Sequence, residues 1–243
     1  MWRTGTVVAL HDETATARTI TLAVPDWPGH VAGQHVDVRL TAPDGYAAVR
    51  SYSIASSPNS ERRIDITVDR LPNGEVSPYL TEEVIVGDRL ELRGPIGGWL
   101  VWRSSQTEPI QLIAGGSGIV PLMAMIRSRV ASGNSALFRL LYSVREPGAV
   151  FYGDELRALS DLDRSVVITY AYTQVAPKDW PRPPCRIDAA LIANATWPAN
   201  LAPTCYVCGP TSFVESASNL LIASGNHRDR IRTERFGPTG GRK

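Results

Sequence analysis

The chain is short of cysteine: it has only three, Cys185, Cys205 and Cys208, in 243 residues. That count argues against a disulfide framework. Cys205 and Cys208 form a lone C-x-x-C. A zinc site takes about four ligands, and the histidines at 11, 30, 35 and 227 are scattered. A plant-type iron–sulfur cluster needs one more cysteine than the chain holds. Apolar runs are also short; none approaches the ~20 residues that span a bilayer. The opening Met1-Trp2-Arg3-Thr4-Gly5-Thr6 carries no apolar signal core. Net charge is nearly absent, at +1, so nothing in the balance points to nucleic acid or an anionic membrane. A composition 43% hydrophobic and 20% charged builds real cores rather than a disordered chain. The expectation is a soluble, cytoplasmic protein with one large domain or two ordinary ones.

Two kinds of patterning divide the chain. Up to Trp102 the periodicity is that of strands: Thr19–Val24, Val36–Leu40 and Ile64–Val68 alternate. Turn signals separate them at Pro28-Gly29, Asp44-Gly45, Asn73-Gly74, Gly87-Asp88 and Gly97-Gly98. Short strands between close turns suggest a barrel or a sandwich. One short helix is expected over Ser77–Glu83, with Ser77 as N-cap and Pro78 in the first helical position. From Ile110 onward, apolar strands alternate with helices. Strands are expected at 110–114, 136–144, 165–171, 204–207 and 230–233, and helices at 119–130, 154–160, 187–193 and 211–223. That order argues a parallel sheet covered on both faces. The polar stretch Arg103–Glu108 sets the expected domains at 1–104 and 105–243.

Arg50-Ser51-Tyr52-Ser53 puts a cation, an aromatic ring and two hydroxyls into four residues. On a strand, Arg50 and Tyr52 share one face and Ser51 and Ser53 the other. A local twist or bulge would bring Ser53 round to the same ligand. Arginine's planar fork suits phosphate, and tyrosine offers a stacking surface. Gly74-Glu75-Val76-Ser77 leads into the short helix, whose first N–H groups suit an anion. Arg50 and Ser77 together suit a pyrophosphate.

In the second half, Gly115-Gly116-Ser117-Gly118-Ile119-Val120-Pro121 joins the first apolar strand to the first helix. Glycines let a pyrophosphate approach the backbone, and the helix start supplies N–H groups and positive potential. Pro121 stands where G-x-G-x-x-G has its third glycine. An NAD site usually carries an acid about 20 residues further on. Here Tyr142-Ser143-Val144-Arg145 ends the next strand instead, and Ser143 with Arg145 suits a 2′-phosphate. Glu146 stands beside them, so NADH stays open as the alternative to NADPH. Cys208-Gly209-Pro210 ends the fourth parallel strand, at the carboxyl edge where such sheets bind ligands. Glu234 and Phe236, at i and i+2, face one way if they lie on a strand, and Gly237–Gly241 then breaks the chain.

These motifs, in this order and over nearly the whole chain, resemble the ferredoxin–NADP reductase superfamily of flavoproteins. The likeness runs from Gly33-Gln34-His35-Val36-Asp37-Val38 through Arg50-x-Tyr52-Ser53, Gly74-x-Val76-Ser77 and Gly94-Pro95-x-Gly97. It continues through the glycine loop and Cys208-Gly209-Pro210 to Glu234-x-Phe236. The resemblance implies a two-domain fold: an antiparallel Greek-key β-barrel of six strands that binds FAD, then a Rossmann-like α/β sheet that binds NAD(P)H.

It also implies roles. Arg50 holds the flavin phosphate, Tyr52 packs on the isoalloxazine and Ser53 bonds near flavin N5. Gly74, Val76 and Ser77 cradle the pyrophosphate, and Ser51, Thr67, Val68 and Glu75 complete the flavin set. Gly116 and Gly118, with Ile119 and Pro121, meet the dinucleotide pyrophosphate, and Ser143 and Arg145 its 2′-phosphate. Cys208, Gly209 and Pro210 border the nicotinamide. Ser53, Cys208, Glu234 and Phe236 form the catalytic set, Phe236 being the family's aromatic flavin cover. Seven residues follow it, whereas plant-type members end on the aromatic. Hydride would pass from nicotinamide C4 to flavin N5, and electrons would leave singly to a ferredoxin-like acceptor. The alternatives are a reductase component of an oxygenase or molybdoenzyme, a free flavin reductase, or a non-catalytic sensor of nucleotide redox state. A sensor would not need Ser53, Cys208 and Glu234 together.

Overall fold

The alternating first part of the chain forms six strands in the computed structural model, which describes residues 1–58, 61–163 and 165–237. They are β1 (Trp2–Asp12), β2 (Ala17–Ala23), β3 (His35–Thr41), β4 (Ala47–Ser53), β5 (Arg63–Asp69) and β6 (Arg89–Ile96). Every pairing is antiparallel, in the order β4-β3-β6-β1-β2-β5. A bridge from Ile54, just past β4, to Ile66 on β5 joins the two edges, so the sheet closes as a Greek-key barrel. Inward positions two apart fill it: Ile20 and Leu22, Val36 and Val38, Ile64, Ile66 and Val68, Leu90 and Leu92. Each such side chain contributes roughly 1.5–3 kcal/mol by leaving water.

The alternating segments read from the sequence include neither β1 nor β6. A register shift between Val7 and Ala9 interrupts the alternation of β1. In β6, Leu90 and Leu92 alternate inward between Arg89, Glu91 and Arg93. The short helix also differs from expectation. It is a single wide turn at Tyr79–Glu83, closed by the Val84 N–H donating to the Tyr79 carbonyl. Ser77 is not its cap: the Ser77 hydroxyl is buried and accepts from the Leu71 N–H at 3.0 Å. The tight loop Leu71–Gly74 took the hydroxyl that the helix start was expected to use.

The second part forms β7 (Ile110–Gly115), β8 (Phe138–Val144), β9 (Val166–Tyr172), β10 (Thr204–Pro210) and β11 (Ile231–Phe236). All are parallel, in the order β11-β10-β7-β8-β9. The helices are α1 (Ile119–Ser132), α2 (Gly153–Leu162), α3 (Ala189–Ala195) and α4 (Thr211–Ala223). Every residue of β7 is buried, as a central strand covered on both faces requires. Asp188 starts α3 as a true N-cap, accepting from the Leu191 N–H at 2.8 Å. Going outward from β7, the chain runs to β8 and β9 on one side and to β10 and β11 on the other. The gap between β7 and β10 is therefore the point where the winding reverses, the place where such sheets bind ligands.

The chain divides into two compact units, 1–104 with 123–133, and 105–122 with 134–243. The stretch 123–133 belongs with the barrel because α1 is apolar over most of its surface: Met123, Ala124, Met125 and Ile126 are all fully buried. Arg127 also donates to the Ala55 carbonyl at 2.9 Å. No helix of the described residues is long and apolar enough to cross a membrane.

Candidate functional site

In the first unit, β4 lies at one end of the strand order and pairs with β3 without a register shift. Arg50 sits opposite Val38 and Tyr52 opposite Val36, and both valines are core residues. Arg50 and Tyr52 thus lie on the inward face of an edge strand. Tyr52 packs half-buried on the core, and burial pushes its hydroxyl above the usual tyrosine range, so it stays neutral. Arg50 remains exposed and its fork already grips an anion. It donates to Glu75 Oε2 at 2.6 Å and to the Val49 carbonyl at 2.8 Å.

Ser51 and Ser53 occupy the other face, opposite Asp37 and His35. The Ser51 hydroxyl donates to Asp37 Oδ1 at 2.6 Å, and Arg93 donates to Asp37 Oδ2 at 2.6 and 3.0 Å. Burial would raise the Asp37 pKa, but these hydrogen bonds outweigh it and hold the carboxyl below its usual range. The regular register means that no bulge within β4 turns Ser53 toward Arg50 and Tyr52. Two further members of the expected flavin set have no free side-chain surface. Val68 lies in the core, and Thr67 is buried with its hydroxyl 2.7 Å from that of Thr19. Either can meet a ligand only through its main chain. Val76 is likewise a core residue. Gly74 is a fitted cradle: a Cβ there would stand 2.9 Å from Ser77 Oγ and 3.1 Å from the Leu71 carbonyl.

In the second unit, the glycine loop lies between the ends of β7 and β10. A Cβ on Gly118 would stand 2.1 Å from the Cys208 carbonyl oxygen, so only glycine allows this closeness. A Cβ on Gly115 would meet the Phe213 ring at 2.7 Å. Gly116 has φ +54 with nothing within 4 Å of where a Cβ would stand, leaving its backbone open. The loop turns directly into α1, whose start brings N–H groups and positive potential to it. Ile119 and Pro121 shape the turn from inside. Both are buried, the Ile119 N–H is spent on the Gly116 and Ser117 carbonyls, and Pro121 has none. Ser143 is buried opposite Gly115 at the end of β8. Arg145 follows, exposed, and its guanidinium makes no hydrogen bond or ion pair among the described residues.

Strand β11 runs through Phe236, so Glu234 and Phe236 share a face. Parallel pairing sets Cys208 opposite Glu234 and Pro210 opposite Phe236. Burial pushes the Glu234 carboxyl up to about 7, so it holds a proton for part of the time at neutral pH. Cys208 is fully buried; burial and then the charge of Glu234 push its thiol well above the usual range. It is a packing thiol that keeps its proton, not a thiolate nucleophile. Cys205, three residues earlier, points to the other side of the strand. Burial raises it to about 12. The turn at Pro238–Gly241 lies outside the described residues.

The residues fit two nucleotides. One unit offers an arginine fork that holds a carboxylate, beside a glycine cradle and a neutral tyrosine ring. The other offers a glycine loop pressed against the end of β10, with an exposed arginine at the next strand end. The sequence reading missed Phe213 and Asp37. Phe213 is an aromatic one turn into the helix after Pro210, a position that signals a wall under the loop. Asp37 sits opposite Ser51; it lies within the Gly33–Val38 motif, which gave it no role of its own.

Comparison with known proteins agrees with this geometry. The family model described as "Oxidoreductase FAD-binding domain" matches residues 7–100. That described as "Oxidoreductase NAD-binding domain" matches residues 112–219. The chain is 29% identical, over 93% of its length, to the ferredoxin reductase component of 3-ketosteroid-9-alpha-monooxygenase from Mycobacterium tuberculosis, covering 63% of that protein. It is 26% identical, over 84% of its length, to the reductase component of propane 2-monooxygenase from Rhodococcus jostii, covering 55% of it. The chain thus spans a little over half to under two thirds of these relatives. Among solved structures, the FAD/NAD binding domain of nitric oxide dioxygenase from Vibrio cholerae superposes with a TM-score of 0.86 at 25% identity. There the match covers 97% of this chain and 99% of that one.

Proposed function

The chain belongs to the ferredoxin reductase-like superfamily of FAD- and NAD-binding oxidoreductases, and on that premise we propose that it is the reductase of an electron-transfer pair. It takes reducing equivalents from NADPH in preference to NADH and passes electrons singly to a separate iron–sulfur protein. Similarity to two monooxygenase reductase components favours an oxygenase system as the place of that acceptor. Its setting would be the cytoplasm, where NADPH is supplied.

One observation carries this reading: Cys208 and Glu234 stand opposite each other at the carboxyl edge of β10 and β11, beside the glycine loop. A module that only sensed nucleotides would need the loop but not a carboxyl poised to hold a proton next to it. A bound FAD would supply the link between two-electron chemistry at the nicotinamide and single-electron delivery to the acceptor. The chain's residues do the rest. Arg50 binds phosphate, and Tyr52 presents a neutral ring. Gly74 lets the Leu71–Ser77 loop fold tightly on itself, the turn proposed to face a diphosphate. Gly116 and Gly118 admit the dinucleotide to backbone N–H groups. Ser143 and Arg145 recognise the 2′-phosphate, whose charge the unpaired guanidinium would neutralise. Glu234 holds or releases a proton at its carboxyl near neutral pH.

The test is anaerobic reduction of the flavin-loaded protein by NADPH and by NADH, followed by a panel of iron–sulfur acceptors. Bleaching by NADPH with single-electron delivery to an acceptor is expected. A flavin indifferent to both nicotinamides would support the sensor instead.

A further inference from the structure

The Arg50 fork has a resident anion. Its Nη2 group donates to Glu75 Oε2 at 2.6 Å, while Tyr46 donates its hydroxyl to Glu75 Oε1 at 3.0 Å. Both carboxylate oxygens are therefore taken. One segment supplies Tyr46 and Arg50, and the other is the loop between Leu71 and Ser77 that holds Glu75. The contact fastens that loop to β4 across the place where the flavin phosphate is proposed to lie.

The physical chemistry of this arrangement is unfavourable to an incoming phosphate. A planar fork cannot give the same N–H groups to a carboxylate and a phosphate at once. With Glu75 in place, the clasp is a neutral pair rather than a free cation. Glu75 also lies between Gly74 and Val76, so it would stand beside any diphosphate cradled there and repel it. The pair is surface-exposed, with side-chain exposures of 51% for both Arg50 and Glu75. An exposed pair is weak enough for the FAD diphosphate, with one negative charge on each phosphoryl group, to displace. No comparable carboxylate pairs with Arg145 in the second unit among the described residues.

We propose that Glu75 is an internal, displaceable anion that competes with the flavin phosphate for Arg50, with Tyr46 holding it in position, and so sets how readily this chain releases its flavin. The inference rests on the flavin-binding reading above. It makes Glu75 a residue that opposes the cofactor rather than one that holds it.

The measurement is release of FAD from the full chain loaded with FAD, followed by recovery of flavin fluorescence after dilution. Wild type is compared with Glu75→Gln and Glu75→Ala. Both variants should release FAD about three- to tenfold more slowly, the range expected from removing a surface ion pair and a nearby like charge. Release of riboflavin, which has no phosphate, should be the same in all three proteins. Equal or faster release of FAD from the variants would overturn the proposal, as would an equal slowing of riboflavin. A wild-type chain that holds no FAD at all removes the flavin reading and this inference together. Equal release from loaded proteins removes the inference alone.

Discussion

The two units prepare for a nucleotide in different ways. The barrel uses side chains: a charged fork and a ring on an edge strand, with a carboxylate already in the fork. The parallel sheet uses backbone: glycines pressed between two strand ends, the start of α1, and an exposed arginine at the end of β8. A charged side-chain site such as Arg50 with Glu75 can be retuned by single substitutions, because both groups stand at the surface and leave the core intact. A backbone site tolerates little, because its glycines are what let the strand ends meet.

The largest effect should come from breaking the backbone side of that contrast. In Gly118→Ala the new methyl would stand 2.1 Å from the Cys208 carbonyl oxygen and 2.5 Å from its carbon. These are main-chain atoms of a buried strand, so relief requires moving β10. We expect a loss of about 3 kcal/mol or more in unfolding free energy. Gly74→Ala in the barrel loop would press mainly on Ser77 Oγ, at 2.9 Å. That should cost roughly 1 kcal/mol. Chemical denaturation of both variants checks the order; equal losses would erase the distinction between the two sites.

Next come the two arginines. Arg50→Ala removes charge-assisted hydrogen bonds worth roughly 1.5–3 kcal/mol each, so FAD affinity should fall by about ten- to hundredfold. A variant purified with full flavin occupancy would end that role. Arg145→Ala should weaken NADPH by about tenfold and leave NADH nearly unchanged. Equal losses for the two coenzymes, measured by KM or by titration, would mean that Arg145 does not read a 2′-phosphate.

The same contrast explains what the sequence discloses. The inward alternation of β5 and the continuous apolar run of β7 are local patterns, and both strands stand where periodicity puts them. The glycine loop is legible because its chemistry depends on the residues in it. Features made by residues far apart in the chain were not legible. Ser77 reads as a helix cap, yet its hydroxyl turns back to the Leu71 N–H. The Arg50–Glu75 pair joins residues 25 positions apart. Strand β1 was hidden because its register shift breaks the alternation that identifies a strand. Glu234 enters the catalytic set only through the family resemblance, and parallel pairing with β10 shows that it is half-buried opposite Cys208.

The smallest expected effect sharpens the backbone side through that carboxyl. Burial raises Glu234 from an ordinary 4.5 to about 7. Between those values the folded chain holds a proton that the unfolded chain has released. The stability associated with the neutral carboxyl is therefore complete below about 4.5 and is lost as pH rises through about 7. Glu234→Gln keeps the shape and cannot ionise, so its stability should lack this fall. At pH 8 the variant should be more stable than wild type by about 1 kcal/mol, a value reduced for the partial solvation of the group. At pH 4 the two should match. Urea midpoints across that range decide the matter. A constant difference at every pH would mean that the folded and unfolded chains hold the Glu234 proton equally, leaving no raised carboxyl at the edge of β11.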